Sequence, residues 1–176
     1  MSACADNSQQ EQFQQLASIK IKALAGNLKK ELSSSMQSGG PVAAVQTCNI
    51  KAPQITEALN DSLTIKRTSL KLRNPNNAPD AWEKKILTAF QQKLAGGTPV
   101  EQLVHSEKIK TSSGTQLRMM RAIPTQGFCL SCHGDKQTMS KELAETLKQF
   151  YPHDLATGYQ AGQIRGAFSV TQTIEN

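Results

Sequence analysis

Thr115-Gln116-Leu117-Arg118-Met119-Met120-Arg121-Ala122-Ile123 leads, after a short spacer, into Cys129-Leu130-Ser131-Cys132-His133-Gly134. In the first half Leu117, Met119, Arg121 and Ile123 alternate with Arg118, Met120 and Ala122, which is the period of a strand. The second half is the attachment signature of a c-type haem. Two cysteines three apart can each form a thioether to a haem vinyl group, and the histidine beside the second is held under the iron as an axial ligand. With four Cys and three His in 176 residues, a chance match is about 0.0015 per chain. Gly134 is expected to let the backbone pass close to the porphyrin without a side-chain clash. A zinc ribbon would need a second C-x-x-C pair, whereas Cys4 and Cys48 are single and far apart. A thioredoxin-type pair would open a helix behind a strand in a βαβ pattern, which this sequence lacks.

Working outward, Leu103 to Lys110 and Thr115 to Ile123 flank Ser112-Ser113-Gly114 and predict a hairpin. Upstream, Phe13, Leu16, Ala17, Ile21, Leu24, Leu28, Leu32 and Met36 recur at helical spacing from Glu11 to Ser38. Gly39-Gly40 ends that long helix, and Pro41 suits the first position of a second one over Val42 to Ile50, before Pro53. Leu63 to Arg73 reads as a strand and the Asn/Pro-rich stretch Asn74 to Pro79 as a turn. Asp80 and Glu83 are spaced as a capping box, and Trp82, Ile86, Phe90 and Leu94 form the stripe of a helix ending at Gly96-Gly97. A short helix over Lys141 to Phe150 and a strand around Ile164, Phe168 and Val170 close the chain. Helices, strand, helix, hairpin, haem loop, helix and strand, in that order, predict an α+β domain with an antiparallel sheet.

The length suits one domain, here residues 11–176 behind a segment 1–10 of different character. Apolar residues are 38% and aromatics 5%, a lean core that a buried haem would supplement. The net charge of +6 favours an acidic partner surface. The basic residues are scattered and not interleaved with aromatics, which argues against nucleic acid. No run of about 18 apolar residues exists to span a membrane. Met1-Ser2-Ala3-Cys4 resembles the end of a bacterial lipoprotein signal, with Cys4 as the lipidated residue and the polar Ala5 to Gln10 as a tether. Covalent haem attachment takes place outside the bacterial cytoplasm, so both features point to a periplasmic protein, with Cys4 as the candidate membrane anchor.

His133 fills one axial position and leaves the other to be assigned. Small all-helical cytochromes use a downstream Met, but Met139 follows the motif too closely. By residue type the candidates are Met36, Cys48, His105, Met119, Met120 and His153. Of Met119 and Met120, adjacent on a strand, one is expected in the core and the other at the surface.

Val45-Gln46-Thr47-Cys48-Asn49-Ile50-Lys51-Ala52-Pro53, Arg67 to Pro75, Ala78 to Glu83, Phe128 to Gly134, Tyr151-Pro152 with Ala156 to Tyr159, and Gly166 to Val170 together resemble the haem-containing PAS-like family of single-haem c-type cytochromes. The resemblance spans about Leu16 to Thr171. It implies a PAS-like fold with a five-stranded antiparallel sheet, flanking helices and a long N-terminal helix. It also implies that Cys48 coordinates the iron opposite His133, and that Arg67, Arg73 and Arg165 are candidates to pair with the haem propionates. A thiolate stabilises ferric iron, so the potential would lie well below that of a His/Met site. The expected function is low-potential electron transfer or redox sensing by one covalent haem, with no enzymatic activity. The alternatives are a diatomic gas sensor and a haem peroxidase-like enzyme, which would need a distal His/Arg pair drawn from His105 or His153.

Overall fold

The computed structural model describes residues 2–111 and 114–174, with side chains from Ser8 onward. Ser112-Ser113, the expected hairpin turn, lies outside the described residues, as does the side chain of Cys4. The helical element Ser2–Glu57 is broken where Gly40 takes a positive φ of 66°, a conformation glycine adopts without a Cβ clash. The break divides it into α1 (2–38) and α2 (41–57), the division the glycine pair predicts. Helical backbone extends through the expected tether, Ala5 to Gln10. α2 continues past Pro53; the missing N–H removes one bond to the preceding turn, in a last turn that faces solvent at Pro53 and Gln54.

Four strands form an antiparallel sheet in the order β1-β4-β3-β2: β1 (Thr64–Thr68), β2 (Val104–Thr111), β3 (Gly114–Pro124) and β4 (Ile164–Ile174). Val170 sits opposite Ile65 on one side and Met119 on the other. The expected strand through Arg73 stops at Thr68, and the sheet has four strands among the described residues where five were expected. The cause is local. Ser69 Oγ donates to Arg165 O at 2.7 Å and accepts from Lys71 N at 3.2 Å, turning the chain out of the ladder. Beyond it the backbone of 70–73 makes one cross-segment bond among the described residues, Leu155 N to Leu72 O.

α3 (Ala81–Ala95) starts with the predicted capping box: Glu83 N donates to Asp80 Oδ1 at 2.7 Å and Asp80 N to Glu83 Oε2 at 2.9 Å. The Glu83 carboxylate is buried, and it pairs with Lys66 at 2.9 Å and Arg118 at 3.4 Å. Helices cover both faces of the sheet. On one, Phe13, Ala17, Ile21 and Leu24 of α1 pack on Ile65, Leu117, Met119 and Val170. On the other, Ile86, Leu87 and Phe90 of α3 pack on Met120, Ala122 and Ala167. Both Met119 and Met120 are therefore core residues, contrary to the expected split, because neither face of β3 meets solvent. Leu16, expected on the buried stripe, is 43% exposed. A third cluster joins α2 to α4 (Lys141–Phe150) through Val45, Leu143, Leu147 and Tyr151, with Cys132 against it. That cluster sets the position of the functional segment.

Candidate functional site

A 3₁₀ turn, Gly127–Cys129, runs into a single helical turn, Leu130–His133. The three-residue spacing puts Cys129 and Cys132 on one side of that turn, and both are half-buried. The helical turn closes with Gly134 N bonded to Leu130 O at 2.9 Å. A Cβ on Gly134 would stand 2.5 Å from that same oxygen. The glycine is thus required by the motif's own backbone, which is a different reason from the one the sequence suggests.

His133 Nδ1 lies 2.7 Å from Ala156 O. A carbonyl only accepts, so Nδ1 carries the proton and Nε2 is left bare, the form that ligates a metal. Burial first, then the charges of Arg165 and Arg73, hold the imidazole well below its ordinary pKa, while the Ala156 bond pulls the other way. Tyr159 meets the ring edge-on, centroids 6.3 Å apart. The loop behind is strapped to the motif by Tyr159 N to His133 O (2.9 Å) and Gly158 N to Gly134 O (2.8 Å).

Cys48 approaches from α2, one turn beyond Val45 of the third cluster. Burial raises its thiol pKa, and the fields of Arg67, Arg73 and Arg165 lower it in part. Its charge is felt in turn at Cys132 and Tyr151. Cys48, Cys129, Cys132 and His133 thus all lie within electrostatic reach of one or more of the three arginines.

The arginines divide into two kinds. Arg73 is committed to the protein: it pairs with Asp154 at 3.0 Å and donates to Cys132 O and Ala156 O. Those bonds engage Nε and Nη2, so only Nη1 is left to meet a propionate. Arg67 and Arg165 have no carboxylate partner among the described residues, and Arg165 Nε is buried without a hydrogen bond. Burial and then the repulsion of Arg165 lower the Arg67 pKa. Both arginines remain cations at neutral pH. With Arg73, His133, Ile123 and Ala156 they line a notch of about 50 Å³. Around it Ile50, Phe128 and Leu155 are 56%, 51% and 62% exposed, each within two residues of Cys48, Cys129 or Ala156.

These residues fit a haem. Two thiols, an imidazole with a bare nitrogen and a third thiol within reach of the same arginines suit its attachment and ligation. Two unpaired guanidiniums match its propionates, and the exposed apolar side chains give it surface to cover. The notch is far smaller than the ~300–1,000 Å³ of an enclosed ligand pocket, so it suits the charged edge of such a group.

Four of the other ligand candidates lie elsewhere. Met119 and Met120 are in the sheet core, His105 pairs with Glu107 at 3.2 Å and His153 faces solvent. Neither histidine supplies the distal His/Arg pair of a peroxidase. Sequence reasoning missed Asp154, Ala156 and Tyr159 as parts of the site. For Ala156 and Tyr159 a signal was present, since Ala156 to Tyr159 belongs to the resembling stretches, whereas Asp154 lies outside them.

Fold and site together define an α+β domain with a cysteine–histidine–arginine constellation at one end of a helix-covered antiparallel sheet. The chain belongs to the Tll0287-like family, whose model matches residues 5–173. Its fold is similar to that in the crystal structure of the cyanobacterial heme-protein Tll0287, with a TM-score of 0.64 and 24% identity. The likeness covers 94% of this chain and 98% of that one. No curated protein matches the sequence.

Proposed function

We propose that this protein is a c-type cytochrome of PAS-like fold, carrying one haem attached through Cys129 and Cys132 and ligated by His133 and Cys48. The observation that carries this reading is the pair of uncompensated arginines, Arg67 and Arg165, lining one notch with His133, with Cys48 of a distant helix within reach of both charges. The family's cyanobacterial member of known structure, a heme-protein by description, supports it. A haem iron held there supplies one-electron redox chemistry. His133 offers Nε2, oriented from behind by Ala156 O. Cys48 offers a thiolate, which favours the oxidised state, and Arg67 and Arg165 offer their charge to the propionates. The protein is then a low-potential electron carrier or redox sensor and not an enzyme. Its net charge of +6 suits an acidic redox partner. Its working place is extracytoplasmic, with lipidation of Cys4 as the anchor.

Diatomic gas sensing is the second reading, favoured by the burial that raises the Cys48 thiol pKa. That burial disfavours the charged thiolate, so Cys48 would be the ligand that yields its position to a gas. The test is Cys48→Ala in the exported, haem-loaded protein. The ferric spectrum should move toward high spin or show a substitute ligand, and the midpoint potential should rise. Unchanged spectrum and potential would remove Cys48 from the iron.

A further inference from the structure

Arg73 and Asp154 sit behind His133, and Arg73 Nε and Nη2 and both Asp154 carboxylate oxygens are hydrogen-bonded. Asp154 Oδ2 accepts from Arg73 Nε at 3.1 Å, and Asp154 Oδ1 accepts from Ala156 N at 2.8 Å. Arg73 Nη2 then reaches Cys132 O, inside the motif turn, and Ala156 O at 3.3 Å. Ala156 O is the oxygen that takes the His133 Nδ1 proton at 2.7 Å. One guanidinium therefore ties the Cys129–His133 turn, the loop behind it and the carbonyl under the histidine into one unit. The pair is largely shielded, with side-chain exposures of 14% and 8%.

We propose that the Arg73–Asp154 ion pair is the positioning device of His133: it fixes the Ala156 carbonyl and sets how strongly that carbonyl draws on the imidazole Nδ1–H. A carbonyl oxygen has two lone pairs. His133 takes one and Arg73 the other, so a guanidinium whose charge is neutralised by Asp154 leaves the oxygen a stronger acceptor than an uncompensated one does. A stronger Nδ1–H bond makes Nε2 a better donor to a metal, which is how outer partners tune ligating histidines. Lysine could not replace the fork, because it lacks the planar set of donors that spans three acceptors.

This inference rests on the proposed haem ligation by His133, and its test uses the haem-loaded protein. In Asp154→Asn the guanidinium is uncompensated, so Ala156 O weakens, positive charge is added near the iron, and the midpoint potential should rise. In Arg73→Gln the carboxylate is uncompensated and Ala156 O serves His133 alone, so the potential should fall. The double variant Arg73→Gln/Asp154→Asn should return toward the wild-type value. Arg73→Lys, which keeps the charge, should lie closer to wild type than Arg73→Gln. The ferric EPR g-values should shift in both single variants. General loosening would move both single variants the same way, with the double variant near their sum. That pattern, or no movement in either, overturns the proposal while the haem reading stands. A wild-type chain that acquires no haem at all overturns both.

Discussion

Replacing Arg165 with Met should change stability in opposite directions in the haem-free and haem-loaded chains. Arg165 is held in place by its backbone, whose carbonyl accepts from Ser69 Oγ and Tyr159 OH, and those bonds survive the substitution. The side chain itself has a buried Nε with no partner. An unsatisfied buried polar group costs about 1–3 kcal/mol, so without haem Arg165→Met should stabilise the fold by that amount. With haem bound, a propionate partner adds a charge-assisted hydrogen bond of about 1.5–3 kcal/mol, and the same substitution should destabilise. Urea unfolding followed by far-ultraviolet circular dichroism, on exported protein and on Cys129→Ala/Cys132→Ala chain, measures both values. Loss of stability by a similar amount in both forms would refute the view that Arg165 waits for an anion.

Glu83→Ala should lower stability by about 3 kcal/mol, the low end for breaking a buried ion pair, since Asp80 still holds Arg118 at 2.7 Å; equilibrium denaturation reads this. The haem-free chain should lose stability on acidification, because the buried His133 titrates well below 6.5 while the unfolded chain takes up its proton near that value. Stability from this group is complete above pH 6.5 and falls as pH drops below it, by at most about 1.4 kcal/mol per pH unit, and denaturant midpoints from pH 8 to 5 would show whether His133→Gln flattens the slope. Gly134→Ala should strain the motif turn against Leu130 O, and the yield of haem-loaded protein on export should drop.

Local chemistry was legible in the sequence. The Asp80–Glu83 box, the Gly39-Gly40 break, the hairpin and the Cys129–His133 turn each depend on residues within a few positions of one another. Features decided between distant segments were not. Met119 and Met120 look like one buried and one exposed residue until α1 and α3 are known to cover both faces of the sheet. Glu83 reads as an exposed helix-start acid until Lys66 and Arg118 arrive from β1 and β3. The strand through Arg73 has the right residue types, but the Ser69 side chain diverts it. Arg73 resembles Arg67 and Arg165 in composition and neighbourhood, and only the approach of Asp154 separates their roles. Cys48 was singled out through resemblance, since no spacing rule links residue 48 to residue 133.

Covalent attachment of one haem through Cys129 and Cys132 is the feature on which the proposed function stands. The most direct measurement is the intact mass of the chain, exported alongside a cytochrome c maturation system and denatured in acid before analysis. The expected mass is that of the chain plus one haem, reduced to the chain alone in Cys129→Ala/Cys132→Ala. A wild-type chain of bare mass, with its haem extracted into acidified organic solvent, would contradict it.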